Sequence, residues 1–166
     1  MHPVIEWKDG TVVMIDQRLL PGEKKLVIHR SHGEVAQSIR DMVIRGAPAI
    51  GIAAAYGIAL GVAELVDRPE LSAPGFLESE FMSIVKTITS TRPTAVNLFW
   101  AAAQMEAVYQ RCKNDYPLLR RELIAAAIAM DMEDFEINYR IGRNGQELFK
   151  TGDTVLTHCN AGALAT

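Results

Sequence analysis

Three short segments hold residues whose types and spacing suit chemistry. In Arg45-Gly46-Ala47-Pro48 an arginine stands directly ahead of a predicted helix start. A helix N-terminus offers free N–H groups and the positive end of the backbone dipole, and a guanidinium adds a fork that matches phosphate. The plainer reading is an arginine that stabilises the end of the preceding helix. In Thr91-Arg92-Pro93-Thr94 the proline disfavours helix at Arg92 and holds it extended before another helix start. Its plainer reading is a solvated loop between helices. Two such arginines in a chain of net charge -3 point to an anionic ligand.

The third segment is Thr157-His158-Cys159-Asn160-Ala161-Gly162. Its cysteine falls at the C-terminal end of a predicted strand, before a small-residue turn, which is the ligand edge of an α/β sheet. Turn N–H groups and a following helix would lower a thiol pKa or bind an anion. A cysteine so placed can be a nucleophile, a general acid or base, or a donor to a developing oxyanion. A buried structural cysteine is the bland alternative. His158 points to the opposite face of the strand and reads as structural. Asn160 and Gly162 shape the turn, and Cys112, at the polar end of a helix, has no assigned role.

Composition narrows the classes. The 166 residues are 49% apolar and 22% charged, as in a soluble globular chain. No Lys/Arg block suits nucleic acid or an anionic membrane surface. The uncharged run from Gly46 to Ala63 is rich in Ala and Gly and flanked by Arg45 and Glu64, so it reads as a buried helix, not a membrane span. The N-terminus carries no secretory pattern. Two cysteines are too few for a disulfide scaffold, and we expect reduced thiols in the cytoplasm. Finger-like or HExxH spacing is absent, so zinc is not expected, and the phosphate-loop and dinucleotide glycine motifs are absent too. His29 and His32 are explained by a strand end and a helix start.

The elements that must position these segments follow from periodicity. Val4–Trp7, Thr11–Ile15 and Leu26–Ile28 read as strands, joined by turns at Asp9-Gly10 and Pro21-Gly22. Ser31 and Glu34 form a capping box for a helix with Val35, Ile39, Met42 and Val43 on its apolar stripe. A second helix over 48–66, with Pro48 in its first turn, is apolar almost all round and should be the centre of a bundle. Gly57 and Gly61 should let a neighbouring helix pack closely. A third helix carries Leu77, Phe81, Ile84, Val85 and Ile88 on one face. A fourth runs from a cap at Thr94 to about Lys113, with Phe99 and Trp100 expected in the core. A fifth begins near Pro117 and runs through the Ala-rich stretch at 125–129, its end left open as far as Tyr139, with room for one more short helix within 140–150. Glu133, Asp134 and Glu136 read as a solvated face. Thr154–His158 reads as a buried strand. We therefore expect an α+β domain over 1–150, a small antiparallel sheet with a helical bundle. Residues 151–166 should be the first strand and turn of a Rossmann-like α/β domain whose remainder is absent.

Taken together, residues 42–51, 91–98 and 156–166 closely resemble the methylthioribose-1-phosphate isomerase family, which is related to the regulatory subunits of translation initiation factor 2B. The resemblance implies a cytoplasmic homodimer and an aldose–ketose isomerisation of a small sugar phosphate without cofactor. It implies that Arg45, Gly46, Ala47 and Arg92 contact the substrate and that Cys159 is one of two catalytic residues. The second, an aspartate, and further contacts from a glutamine and an Asn-Lys pair lie in the family's C-terminal domain, outside this chain. The chain alone is therefore expected to be inactive. Three alternatives remain: isomerisation of ribose 1,5-bisphosphate or 5-deoxyribose 1-phosphate, a non-catalytic regulatory module, and a mere folding or dimerisation domain.

Overall fold

The computed structural model describes residues 4–65 and 68–165, and of Ser72 only the backbone. The predicted helix end at residue 66, the loop start at Asp67 and the terminal Thr166 lie outside the described residues.

Three strands, β1 (Ile5–Lys8), β2 (Thr11–Ile15) and β3 (Leu26–His29), form an antiparallel sheet in that order. Asp9 and Gly10 close the first hairpin with φ of 48° and 76°, the left-handed pair that a tight two-residue turn requires. Trp7 pairs with Val12, and Val12 with His29. Buried His29 ties the sheet to the next helix: its ring nitrogens lie 3.0 Å from the Val12 carbonyl and 2.6 Å from the Ser38 hydroxyl. A carbonyl only accepts, so Nδ1 donates and Nε2 accepts from Ser38.

The capping box is formed as expected. The Ser31 hydroxyl accepts from the Glu34 N–H at 3.2 Å, and the Glu34 carboxylate accepts from the Ser31 N–H at 3.3 Å. It starts α1 (His32–Arg40). Helix α2 (Ala47–Ala63) is the hub, buried from Ala49 through Val62 and packed against α1, α3 (Phe76–Thr89), α4 (Val96–Cys112) and α5 (Tyr116–Gly145). A Cβ on Gly57 would come within 2.7 Å of Ile88, and one on Gly61 within 2.8 Å of Ile84, so the two glycines set how closely α3 approaches. Tyr109 of α4 stacks on Phe81 of α3 with ring centroids 4.0 Å apart.

Several expectations need correction. Ala95, not Thr94, precedes α4, and no side chain caps it. Phe99 and Trp100 are 44% and 52% exposed, because Leu98, Ala101, Ala102 and Met105 occupy the face turned to the core. Met42 is exposed at φ 58°, turning the chain out of α1. The fifth helix and the short one expected after it are largely one helix, α5, which continues to Gly145 before a short 3-10 turn at Gln146–Leu148. Only the first half of α5 is buried, through Leu119, Leu123 and Ala127. Thr154–His158 forms no strand, and His158 and Cys159 are exposed. A strand needs a neighbour to satisfy its N–H and C=O groups, and among the described residues none pairs with it. The sheet-plus-bundle part is as expected; the opening strand of an α/β domain is not formed.

Candidate active site

Helix α2 starts at a glycine held in a conformation that other residues rarely adopt: Gly46 has φ 110° and ψ 138°. Pro48 sits in the first turn, where its missing N–H costs nothing. The chain's last described residue packs onto this start. A Cβ on Gly46 would overlap the backbone and side chain of Ala165. The Ala165 carbonyl accepts from the Ala49 N–H at 3.0 Å, satisfying one of the helix's orphan donors. Next to it, the Leu164 carbonyl accepts from the Gln17 side chain at 2.7 Å. Gln17 is itself fixed, its N–H donating to Val43 at 2.9 Å. This buried glutamine clamps the segment after Cys159 to the loop before Arg45.

The start of α4 reaches the same end of α2. A Cβ on Gly51 would lie 3.0 Å from the Asn97 carbonyl, so the two helices cross almost in backbone contact. Upstream, the buried Thr91 hydroxyl donates to Ile88 at 2.6 Å, and the Arg92 carbonyl accepts from Ala95 at 3.0 Å, which holds Arg92 in a tight corner. Segments far apart in sequence thus converge on the first turns of α2. Arg45, Ala47 and Cys159 are exposed, Gly46 is buried and Arg92 is half-buried. Cys159 has φ 61°, uncommon for a side chain other than glycine and a feature that gathers at functional turns.

Two cavities flank this end. A groove of about 720 Å³ runs between the sheet, α2, the outer part of α5 and Asn160–Ala163. A smaller pocket of about 140 Å³ lies beside Pro48, Gly51, Asn97 and Trp100. Each has a carboxylate of α5 in its wall, Asp131 in the groove and Asp134 in the pocket. Burial raises the pKa of both. Asp131 accepts from the Tyr56 hydroxyl at 2.9 Å, which counters that rise, and Tyr56 is pushed well above its usual range by burial and by this carboxylate. One oxygen of Asp134 is buried without a hydrogen-bond partner. Sequence reasoning placed Asp134 on a solvated face and passed over Gln17, because the folding back of distant segments, not local pattern, buries them. Among the described residues, no three His, Cys, Asp or Glu side chains cluster closely enough to hold a metal, and no helix is long and apolar enough to cross a membrane.

Residues 43–166 match the model of the initiation factor 2 subunit family. The chain belongs to that family. Within the family it is similar to methylthioribose-1-phosphate isomerase of Geotalea daltonii, with 48% identity over 98% of this chain and 46% of the relative. The isomerase of Thermotoga maritima shares 44% identity over 98% of this chain and 45% of its own length. The solved 5-methylthioribose 1-phosphate isomerase of Pyrococcus horikoshii superposes with a TM-score of 0.89 at 39% identity, covering 100% of this chain and 46% of that one. The delta subunit of translation initiation factor eIF-2B from A. fulgidus superposes at 0.85 with 36% identity, covering 100% of this chain and 47% of its own. The chain therefore spans less than half the length of these family members.

Proposed function

We propose that this chain is the N-terminal half of an aldose–ketose isomerase that converts 5-methylthioribose 1-phosphate to 5-methylthioribulose 1-phosphate. The observation that carries the reading is the meeting of the Arg45-Gly46-Ala47 turn with the segment after Cys159 at the start of α2. In a chain with isomerase relatives, that is where a phosphosugar and a thiol would be brought together. Arg45, Gly46, Ala47 and Arg92 bind the substrate, with the guanidinium groups on its phosphate. The phosphate sits on the anomeric carbon, so the ring opens before hydrogen leaves C2 and C1 gains one. No external oxidant or reductant is needed. Cys159 serves as one of the two groups that handle this transfer, and its partner lies in a C-terminal α/β domain that begins at residue 151. There, a neighbouring strand would pair Thr154–His158. The complete enzyme is a cytoplasmic homodimer, and this half alone is inactive.

The test is turnover by the complete protein, run in deuterated water. Deuterium at C1 of the product marks a proton passed through an enediolate-like state; its absence marks a transfer closed to solvent, as in a hydride shift or a shielded proton transfer. Ribose 1,5-bisphosphate and 5-deoxyribose 1-phosphate complete the substrate panel. The close superposition on the initiation-factor subunit supports a second reading, a non-catalytic regulatory module. Absence of turnover on every member of the panel would favour it.

A further inference from the structure

We propose that Gln17 is a positioning residue for the isomerisation: its side-chain amide fixes where the segment carrying Cys159 sits relative to the arginine turn before α2. This rests on the isomerase reading above. Gln17 stands just past β2 and is 2% exposed. Its backbone is held first. The Asp16 N–H donates to Lys25 at 2.8 Å, and the Gln17 N–H donates at 2.9 Å to Val43, in the loop that leads to Arg45. The Asp16 carboxylate, buried as well, accepts from the Arg18 N–H at 3.1 Å and from the Arg18 guanidinium at 2.9 and 2.7 Å. This bidentate brace closes the turn around Gln17. A side chain that leaves so fixed a backbone is already aimed before anything binds.

The amide donates to the Leu164 carbonyl at 2.7 Å, across 147 positions of sequence. The next carbonyl, that of Ala165, accepts from Ala49 in the first turn of α2 at 3.0 Å. Two successive carbonyls thus meet two donors of the body, one a side chain and one a helix N–H. One such bond would let the segment swing about it; two fix its direction as well as its place. The Ala165 N–H donates back to Gly162 at 2.9 Å, which ties this anchor to the turn that follows Cys159. Burying an amide is costly unless it is paired, and an apolar side chain of the same length would fill the space. What the amide adds is a directed contact to the thiol segment. The thiol and the phosphate-binding guanidiniums act on different atoms of one substrate, so their separation must be held closely. A misplacement of about 1 Å can cost about 10²-fold in rate. Gln17 touches both sides, the arginine turn through its backbone and the thiol segment through its side chain. A change of side chain therefore frees only the second.

The experiment uses the complete enzyme, 5-methylthioribose 1-phosphate as substrate and inorganic phosphate as a competitive inhibitor, at a temperature well below the unfolding of every variant. Gln17→Met keeps the length of the side chain and loses the amide. It should lower kcat by about ten- to a hundredfold. KM and the inhibition by phosphate should stay unchanged, because the backbone bond to Val43 persists. Gln17→Glu keeps the shape, but a carboxylate cannot donate to a carbonyl, whereas a protonated carboxyl can. Its kcat relative to the parent enzyme should therefore recover as pH falls, and that of Gln17→Met should not. An unchanged kcat in Gln17→Met overturns the positioning role. So does a KM or a phosphate inhibition that weakens in step with kcat, or a Gln17→Glu enzyme whose relative kcat ignores pH. A parent enzyme that does not turn over the substrate overturns the isomerase reading itself, and the role of Gln17 in it.

Discussion

The sheet-and-bundle body and the segment after Lys150 follow opposite rules. In the body, α2 is sheathed on all sides, and each neighbouring element presents its apolar stripe to it. In the segment, residues 151–164 are exposed and irregular, and among its described residues only Ala165 is buried. Val155 and Leu156 are as apolar as the strands of the sheet, yet they are 55% and 96% exposed. Apolar character does not by itself make a strand; a partner edge must be present to receive it. What holds the segment is one buried residue, a glycine with no side chain in its way, and two backbone carbonyls that find donors.

The largest expected effect separates chemistry from stability. In the complete enzyme, Cys159→Ala should lower kcat by about 10²- to 10⁴-fold, the range for losing a positioned acid or base. In the present chain Cys159 is exposed, so the same substitution there should leave thermal unfolding unmoved. A lowered melting temperature that accounts for the lost activity would return Cys159 to a structural role.

The next effect belongs to the body. Gly61→Val forces branched carbon into the space held by Ile84, and overpacking of this kind costs roughly 1–3 kcal/mol. Urea unfolding of the present chain should show it as a lowered midpoint with little change in slope. A midpoint equal to that of the unaltered chain would mean that α2 and α3 are not locked as the glycines suggest.

Gly46→Ala tests the other half of the comparison. The residue must leave a φ that only glycine tolerates and clear Ala165, a local cost on the order of 1–3 kcal/mol. The Cβ would meet Ala165 and not the body, so the loss should fall on the clamp. Amide exchange at 163–165 should speed up while α2 beyond its first turn stays protected. Gln17→Leu should give a weaker version, since it removes one hydrogen bond to Leu164, a contribution of about 1 kcal/mol. Uniform destabilisation of the whole chain by either change would erase the distinction between body and segment.

What the sequence showed follows the same division. Ser31 with Glu34, Asp9-Gly10, and the spacing of Gly57 and Gly61 are local signals whose outcome is decided within a few residues or one helix turn, and each appears in the fold. Trp100 and Phe99 failed as core residues because an aromatic type says nothing about which face of α4 meets α2. The strand at 154–158 failed because an apolar run carries no information about whether an edge is there to receive it. Around the start of α2, Arg45, Arg92 and Cys159 were singled out from motif as candidates, whereas Gln17 and Asp134 were not. Their roles arise from contacts with residues more than 100 positions away or from the depth of a pocket, which no window of sequence carries.

The smallest expected effect lies in the buried titrating groups of the body. His29 has a pKa lowered chiefly by burial, partly offset by the Val12 carbonyl and by Glu34. It therefore contributes stability that is full above its ordinary value near 6.5 and is lost as pH falls through the lower folded value. Asp131 and Asp134 are raised by burial, with hydrogen bonds from Tyr56 and Asn138 acting the other way. Their sign is opposite: the folded state holds their protons more tightly, so their contribution is full below the ordinary carboxylate range and is lost as pH rises through the folded values. On acidification from pH 7 the histidine weakens the fold while the two carboxylates strengthen it. Asp134→Asn removes part of the second trend. The variant should be more stable than the parent chain at pH 7, and the gap should close as pH falls and Asp134 takes up its proton. Urea midpoints of both chains across that range measure the gap. A gap that does not change with pH would mean that Asp134 is as well solvated in the fold as in the unfolded chain, and that its unpartnered oxygen is no feature of the pocket.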